Sequence, residues 1–245
     1  MPRFFIDKSQ IEDSSLFILG DDARHIARSL RMAVGDEITV CDGDGFEYAV
    51  TLTKIRDERC DGDITEKKIS VAEPKSKITL FMAYPKSDKL EIIIQKAVEL
   101  GASLIIPFES SRCIKKPKAE KIKERTARLC RIAEEAAKQC GRAVLPQVAE
   151  PISFGEMIES SKDYALSIFC YESEGTRSLK AILDEYPDAP QNICIAVGSE
   201  GGFSKEEALS AKDAGFKMAN LGPRILRCET APDYCLAAIS YKYEL

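Results

Sequence analysis

From Ile78 to the C-terminus the chain alternates between two kinds of segment, and this alternation limits the fold more than any other feature. Residues 78–84, 104–107, 144–148, 165–171, 193–197 and 218–221 are short apolar runs that read as strands. Between them lie segments with helical signals. Ser87 can cap a helix carrying Leu90, Ile93, Ile94, Ala97 and Val98 at helical spacing, and Gly101 stops it. Further helices are expected over 119–139, 154–160, 178–185 and 230–241. Another opens at the Ser204-x-x-Glu207 capping box and runs to about 214. Strands alternating with helices give an α/β domain, a parallel sheet covered on both faces.

Residues 1–72 follow a different pattern. Apolar runs at 4–6 and 16–19, a helix capped by Asp21 or Asp22 and running to about 32, and strands over 37–41, 46–55 and 64–71 are expected. Asp42-Gly43-Asp44-Gly45 is a hairpin turn signal between two of those strands. Several short strands closing on themselves suggest a small β-barrel. The chain of 245 residues is therefore expected to form two domains, 1–72 and 73–245, with the boundary near 71–76.

Composition narrows the function classes. With 44% hydrophobic and 31% charged residues, the chain is an ordinary globular one. No apolar stretch is long enough for a membrane span or a signal peptide, so a cytoplasmic protein is expected. The nine cysteines form no C-x-x-C pair and read as small buried hydrophobes. His25 is the only histidine, which leaves no evident metal site and no His-based nucleophilic apparatus unless His25 serves it.

The net charge of −5 is unevenly spread. Residues 112–142 hold 11 basic and 4 acidic side chains. Such a stretch is either a solvated helix face or a surface that grips phosphates.

Two glycine-containing loops follow strands in the C-terminal third, where ligands of α/β sheets sit. They are Gly198-Ser199-Glu200-Gly201-Gly202-Phe203 and Leu221-Gly222-Pro223-Arg224-Ile225-Leu226-Arg227. Neither is a dinucleotide fingerprint or a phosphate loop. They are either two tight turns or a site for a nucleoside recognised by main-chain groups. Arg227 and Glu229, at the start of the last helix, are either an acid/base or anion-stabilising pair or a cap with a surface salt bridge.

These strings carry a specific resemblance. Gly198 to Ser204 followed by Leu221 to Ala231 resembles the RsmE family, bacterial 16S rRNA (uracil-N3) methyltransferases of the SPOUT superfamily. Three further regions agree in order: His25-x-x-Arg28-x-x-Arg31-x-x-x-Gly35-Asp36, Gln95-Lys96-Ala97-x-Glu99-Leu100-Gly101, and Pro107-x-x-Ser110-x-Arg112. So does Glu135-Ala136-Ala137-x-Gln139-x-x-Arg142-x-x-x-Pro146. Ser199 stands where the family usually has Pro, and Cys228 where it usually has Thr. The first departure implies a looser loop, the second a lost hydroxyl.

The resemblance implies an N-terminal PUA-like RNA-binding β-barrel and a SPOUT-type, trefoil-knotted parallel sheet. It implies S-adenosylmethionine as cofactor, held by Gly198, Ser199, Glu200, Gly201, Gly202, Leu221, Gly222, Ile225 and Leu226. It also implies a homodimer acting on small-subunit ribosomal RNA, free or in the assembled subunit, with N3 of a uridine as acceptor. Arg227 is then the candidate for stabilising the deprotonated base, and Glu229 for taking the proton or orienting Arg227. His25, Arg28, Arg31, Arg112, Lys115, Lys116 and Arg142 are the candidate RNA contacts; His25 is otherwise a packed or surface histidine. The last helix, with Tyr234, Leu236 and Ile239, is core or dimer face. Two alternatives share this fold: methylation of another RNA position, or a non-catalytic ribosome-assembly protein. A nucleotide-dependent oxidoreductase is disfavoured by the missing fingerprint.

Overall fold

The computed structural model describes residues 1–86, 89–114, 119–173 and 175–245. The chain forms two compact units. One joins Met1–Glu73 to Ala137–Leu145; the other comprises Pro74–Ala136 and Pro146–Leu245. The first unit thus ends one residue past the expected boundary and also takes in 137–145. Nothing local separates that segment from what precedes it, because it begins inside one continuous helix.

The first unit is a six-stranded sheet. Its strands are β1 (Arg3–Phe5), β2 (Ile11–Glu12), β3 (Ser15–Leu19), β4 (Glu37–Cys41), β5 (Phe46–Ile55) and β6 (Arg59–Ile69). Their order is β1-β4-β5-β6-β3-β2, parallel only between β1 and β4. Alternate residues face inward, as the two-residue period of a strand requires. Val40 of β4 stands opposite Tyr48 of β5, and Ile38 opposite Val50. They join Phe4, Leu16, Ile18, Ile26 and Leu52 in one core, with Ile11 packed against it. Strands at both ends of the order thus cover the same core, as in a barrel. In the β4–β5 turn, Asp42 Oδ1 accepts from the N–H groups of Asp44 (2.9 Å) and Phe46 (3.2 Å), so the aspartate fixes the reversal.

The helix expected to run to about residue 32 is shorter and differently wound. It is α1 (Gly20–Arg24), which continues as a single π-helical turn, His25–Ser29. Its N-cap is Leu19, the last residue of β3, so strand passes directly into helix with no position left for a side-chain cap. Asp21 and Asp22 lie inside the first turn, where their charge suits the helix dipole.

The second unit is an all-parallel sheet. Its strands are β7 (Lys77–Ala83), β8 (Ala102–Glu109), β9 (Gln147–Val148), β10 (Ile152–Ser153), β11 (Leu166–Cys170), β12 (Arg177–Ser178), β13 (Asn192–Val197) and β14 (Lys217–Asn220). The order is β10-β8-β7-β13-β11-β14-β12, with β9 also on β8. The two-residue strands β2, β10 and β12 have no apolar run from which they could be read.

The helices are α2 (Lys89–Glu99), α3 (Ile122–Cys140), α4 (Phe154–Ser160), α5 (Leu179–Leu183), α6 (Lys205–Asp213) and α7 (Thr230–Tyr243). The expected cap Ser87 lies outside the described residues. Leu90, Ile93, Ile94, Ala97 and Val98 of α2 are all buried, as their spacing predicts. Leu236 and Ile239 of α7 are buried in the chain's own core, while Tyr234 and Tyr241 are exposed.

Candidate active site

β13 is inserted between β7 and β11, so the chain's later strands flank its earlier ones. Loops leaving the carboxyl ends of β11, β13 and β14 surround one cavity of about 590 Å³. That lies within the ~300–1,000 Å³ of small-molecule sites. Gly198, Ser199, Glu200, Gly201, Gly202, Leu221, Gly222, Ile225 and Leu226 all line it, together with Arg227 and Glu229. Two loops about twenty residues apart in sequence therefore share one space.

The glycines have physical reasons to be there. A Cβ on Gly201 would stand 3.1 Å from Arg112 Cβ and 3.2 Å from Arg112 O, so a side chain would push this loop away from the loop after β8 that bears Arg112. Gly222 has φ +100°, open to glycine and strained for other residues. Arg112 Nη1 donates to Gly201 O at 3.1 Å, a further tie between the same loops. Arg112 thus sits in the cavity wall with one donor engaged. The α6 capping box forms as expected, and Glu207 also accepts from Ser111 N at 2.7 Å.

Two features mark the cavity as a ligand site. Ile225 is 82% exposed although apolar, and Ser199 Oγ is buried with no hydrogen-bond partner among the described residues. An exposed aliphatic side chain beside backbone amides suits a flat heteroaromatic ring with hydrogen-bonding edges. Ser199→Ala is expected to raise the melting temperature of the unliganded protein by roughly 2–4 °C, because an unsatisfied hydroxyl costs about 1 kcal/mol. A thermal melt checks this; a lower melting temperature would mean that the hydroxyl is paired.

Lys89 is among the cavity residues that escaped the sequence reading. Lys89 Nζ, at the start of α2, lies 3.2 Å from Glu200 Oε1 and 3.0 Å from Glu229 Oε2. Glu200 also accepts from the backbone N–H of Lys86 at 3.2 Å. Cys228 Sγ donates to Glu229 Oε2 at 3.2 Å, so the thiol supplies a donor where the family usually has a hydroxyl. The Lys89 hydrogen bond, partly opposed by burial, holds the Glu229 carboxyl down at about 2. Burial and the adjacent carboxylate push the Cys228 thiol up to about 12. Glu229 is therefore an ionised partner of Lys89, too weak a base to take a proton near neutrality. The one available sequence signal was a lysine in the first turn of a helix, the wrong end of the dipole for a cation.

Arg227 is exposed, and among the described residues no hydrogen bond or ion pair engages its guanidinium. Its carbonyl accepts from Thr230 N (2.9 Å) and Ala231 N (3.0 Å), which fixes the side chain's base at the foot of α7.

The expected RNA contacts scatter. His25 is exposed and meets Phe4 edge-on, with ring centroids 6.3 Å apart. Arg28 is exposed and paired with Asp57. Arg31 lies beyond the helical segment at φ +52°, so the three-residue spacing does not place all three side chains on one helical face. Arg142 is only 2% exposed. Its Nε and Nη2 reach Glu73 Oε2 at 3.2 and 2.8 Å, which removes it from any basic surface. Lys115 and Lys116 lie outside the described residues.

The chain thus holds a parallel sheet with a cavity at its carboxyl edge and a separate β-rich unit, and family models match both parts. An RNA methyltransferase domain matches residues 72–240, and an RNA methyltransferase PUA domain matches residues 18–65. The chain is 36% identical over its full length to ribosomal RNA small subunit methyltransferase E of Bacillus subtilis, covering 98% of that protein. It belongs to the ribosomal RNA small subunit methyltransferase E family. Two solved structures superpose closely. The family member of Neisseria gonorrhoeae, bound to S-adenosyl methionine, has a TM-score of 0.86 at 29% identity, covering 99% of this chain and 98% of its own. A Legionella pneumophila methyltransferase in complex with the cofactor SAM has a TM-score of 0.85 at 26% identity, with 98% and 96% coverage.

Proposed function

We propose that this chain transfers a methyl group from S-adenosylmethionine to N3 of a uridine in the 16S RNA of the small ribosomal subunit. The observation that carries the reading is the convergence of both glycine-containing loops and Arg227 on one cavity, in a chain of this family. When bound, the cofactor supplies a methyl group on an electrophilic sulfonium. Ser199, the main chain of Gly198 to Gly202, and Leu221 to Leu226 are the residues that would hold it.

The chain's own part is positioning and charge stabilisation. Alignment of two held reactants supplies much of the barrier reduction in a displacement of this kind. The imide N3 carries a proton; once that proton passes to solvent water, charge spreads to the flanking carbonyl oxygens. Arg227 offers two N–H donors in a fixed fork to that charge. Glu229, held ionised by Lys89, keeps the wall beneath Arg227 in place and does not act as the base.

His25, Arg28 and Arg31 are proposed to add contacts to RNA phosphates, with Arg112 at the cavity wall. The protein is proposed to act in the cytoplasm as a homodimer, with the exposed Tyr234 and Tyr241 of α7 on the pairing face. Among the described residues no helix is long and apolar enough to cross a membrane.

The test is methyl transfer from labelled S-adenosylmethionine to small subunits from cells lacking the modification, followed by nucleoside separation. Label in 3-methyluridine is the expected result. Cofactor binding with no label on this RNA would favour another RNA target. Neither binding nor label would favour a non-catalytic RNA-binding protein.

A further inference from the structure

We propose that Lys89 is a positioning residue that ties the loop after β13 to the loop after β14, and thereby holds the cavity in its ligand-binding shape. One ammonium group reaches a carboxylate from each loop, Glu200 at 3.2 Å and Glu229 at 3.0 Å. The side chains of all three are between 25% and 30% exposed, so the network is partly shielded from solvent. Lys86, three residues before Lys89 in the sequence, holds Glu200 a second time through its backbone N–H group. Glu229 is held a second time by the Cys228 thiol.

The placement is unfavourable for a helix by itself. Lys89 opens α2, where the macrodipole disfavours a cation. Two carboxylates from outside the helix reverse that balance. A residue that breaks the local rule and is compensated only by long-range partners is the pattern expected of a functional position.

The three groups differ in what they anchor. Glu200 lies between the cavity-lining Ser199 and Gly201, and Glu229 lies two residues after Arg227. Lys89 therefore links the segment expected to hold the cofactor to the segment expected to hold the reacting base. A shift of either loop alone would separate the two reactants, so the tie serves alignment as well as binding.

The inference rests on the methyl-donor reading only for the choice of ligand; its first test needs none. Hydrogen exchange of the unliganded full chain would be compared for Lys89→Met and Lys89→Arg. Lys89→Met is expected to speed amide exchange roughly three- to tenfold in both 198–203 and 221–229, the scale of a partly shielded ion network. Lys89→Arg, which can still span two carboxylates, should restore protection. Glu200→Gln should loosen both loops as well, and it decides the matter if Lys89→Met does not fold. Unchanged exchange, or loosening of one loop only, would overturn the coupling.

Calorimetric titration with S-adenosylmethionine follows. Lys89→Met is expected to weaken binding by about tenfold, and Lys89→Arg by less than about threefold. Equal affinity in wild type and Lys89→Met would also overturn the proposal. Failure of the wild type to bind would instead reject the donor reading, leaving the exchange result to judge the tie.

Discussion

Arg227→Ala is expected to lower methyl transfer by about 10²–10³-fold, the usual cost of losing one preorganised donor to a developing anion. Affinity for S-adenosylmethionine should stay within about threefold, because no partner among the described residues depends on the guanidinium. The backbone of Arg227 is what holds the foot of α7, through Thr230 and Ala231, and alanine keeps those bonds. Lys at this position would keep the charge but lose the two-donor fork, so only partial recovery is expected. Single-turnover rates beside calorimetric affinities separate the effects. A variant that turns over normally would remove Arg227 from the chemistry, and one that no longer binds the donor would make it a cofactor ligand instead.

The largest expected effect on stability lies away from the cavity. Glu73→Ala should destabilise the first unit by about 3 kcal/mol, since it removes the carboxylate that Nε and Nη2 of the buried Arg142 guanidinium donate to. The carboxylate does more than pair with a charge. Its Oε1 also accepts from the backbone N–H groups of Ala143 (2.8 Å) and Val144 (3.0 Å), so three consecutive residues are fastened by one side chain. The double variant Glu73→Ala/Arg142→Met should recover much of the loss, because removing both charges is far cheaper than removing one. Urea unfolding followed by circular dichroism would measure both. A loss under about 1 kcal/mol in the single variant would show that the Arg142 charge is held without Glu73.

These two residues illustrate what a sequence can and cannot disclose. The bounds of β4, β5 and α4 are legible because alternation, a fixed turn and a capping serine act within a few residues. The glycine loops are legible for the same reason, as is the position of Arg227 beside them. Arg142 is different: a run of basic residues suggests a surface, and only its distant partner Glu73 reveals a buried role. Lys89 is hidden in the same way, its two partners lying more than a hundred residues away. The π-helical turn after Arg24 leaves no signature either, so a spacing argument built on 3.6 residues per turn misplaces Arg31. Local periodicity finds elements and loops; the pairing of charges across the chain needs coordinates.

The composition of the first unit bears on how the chain is made. Ala137–Leu145 belongs with Met1–Glu73, and the Glu73 carboxylate has its partners there. During synthesis the N-terminal sheet leaves the ribosome with that carboxylate unmatched. The 72 residues that separate Glu73 from Leu145 take roughly 4–14 s to add at ~5–20 residues per second. Over that interval the amino-terminal part is an incomplete body, and much of the other unit's chain emerges before it can close. A gene fragment cut just after residue 73 would make that transient state permanent.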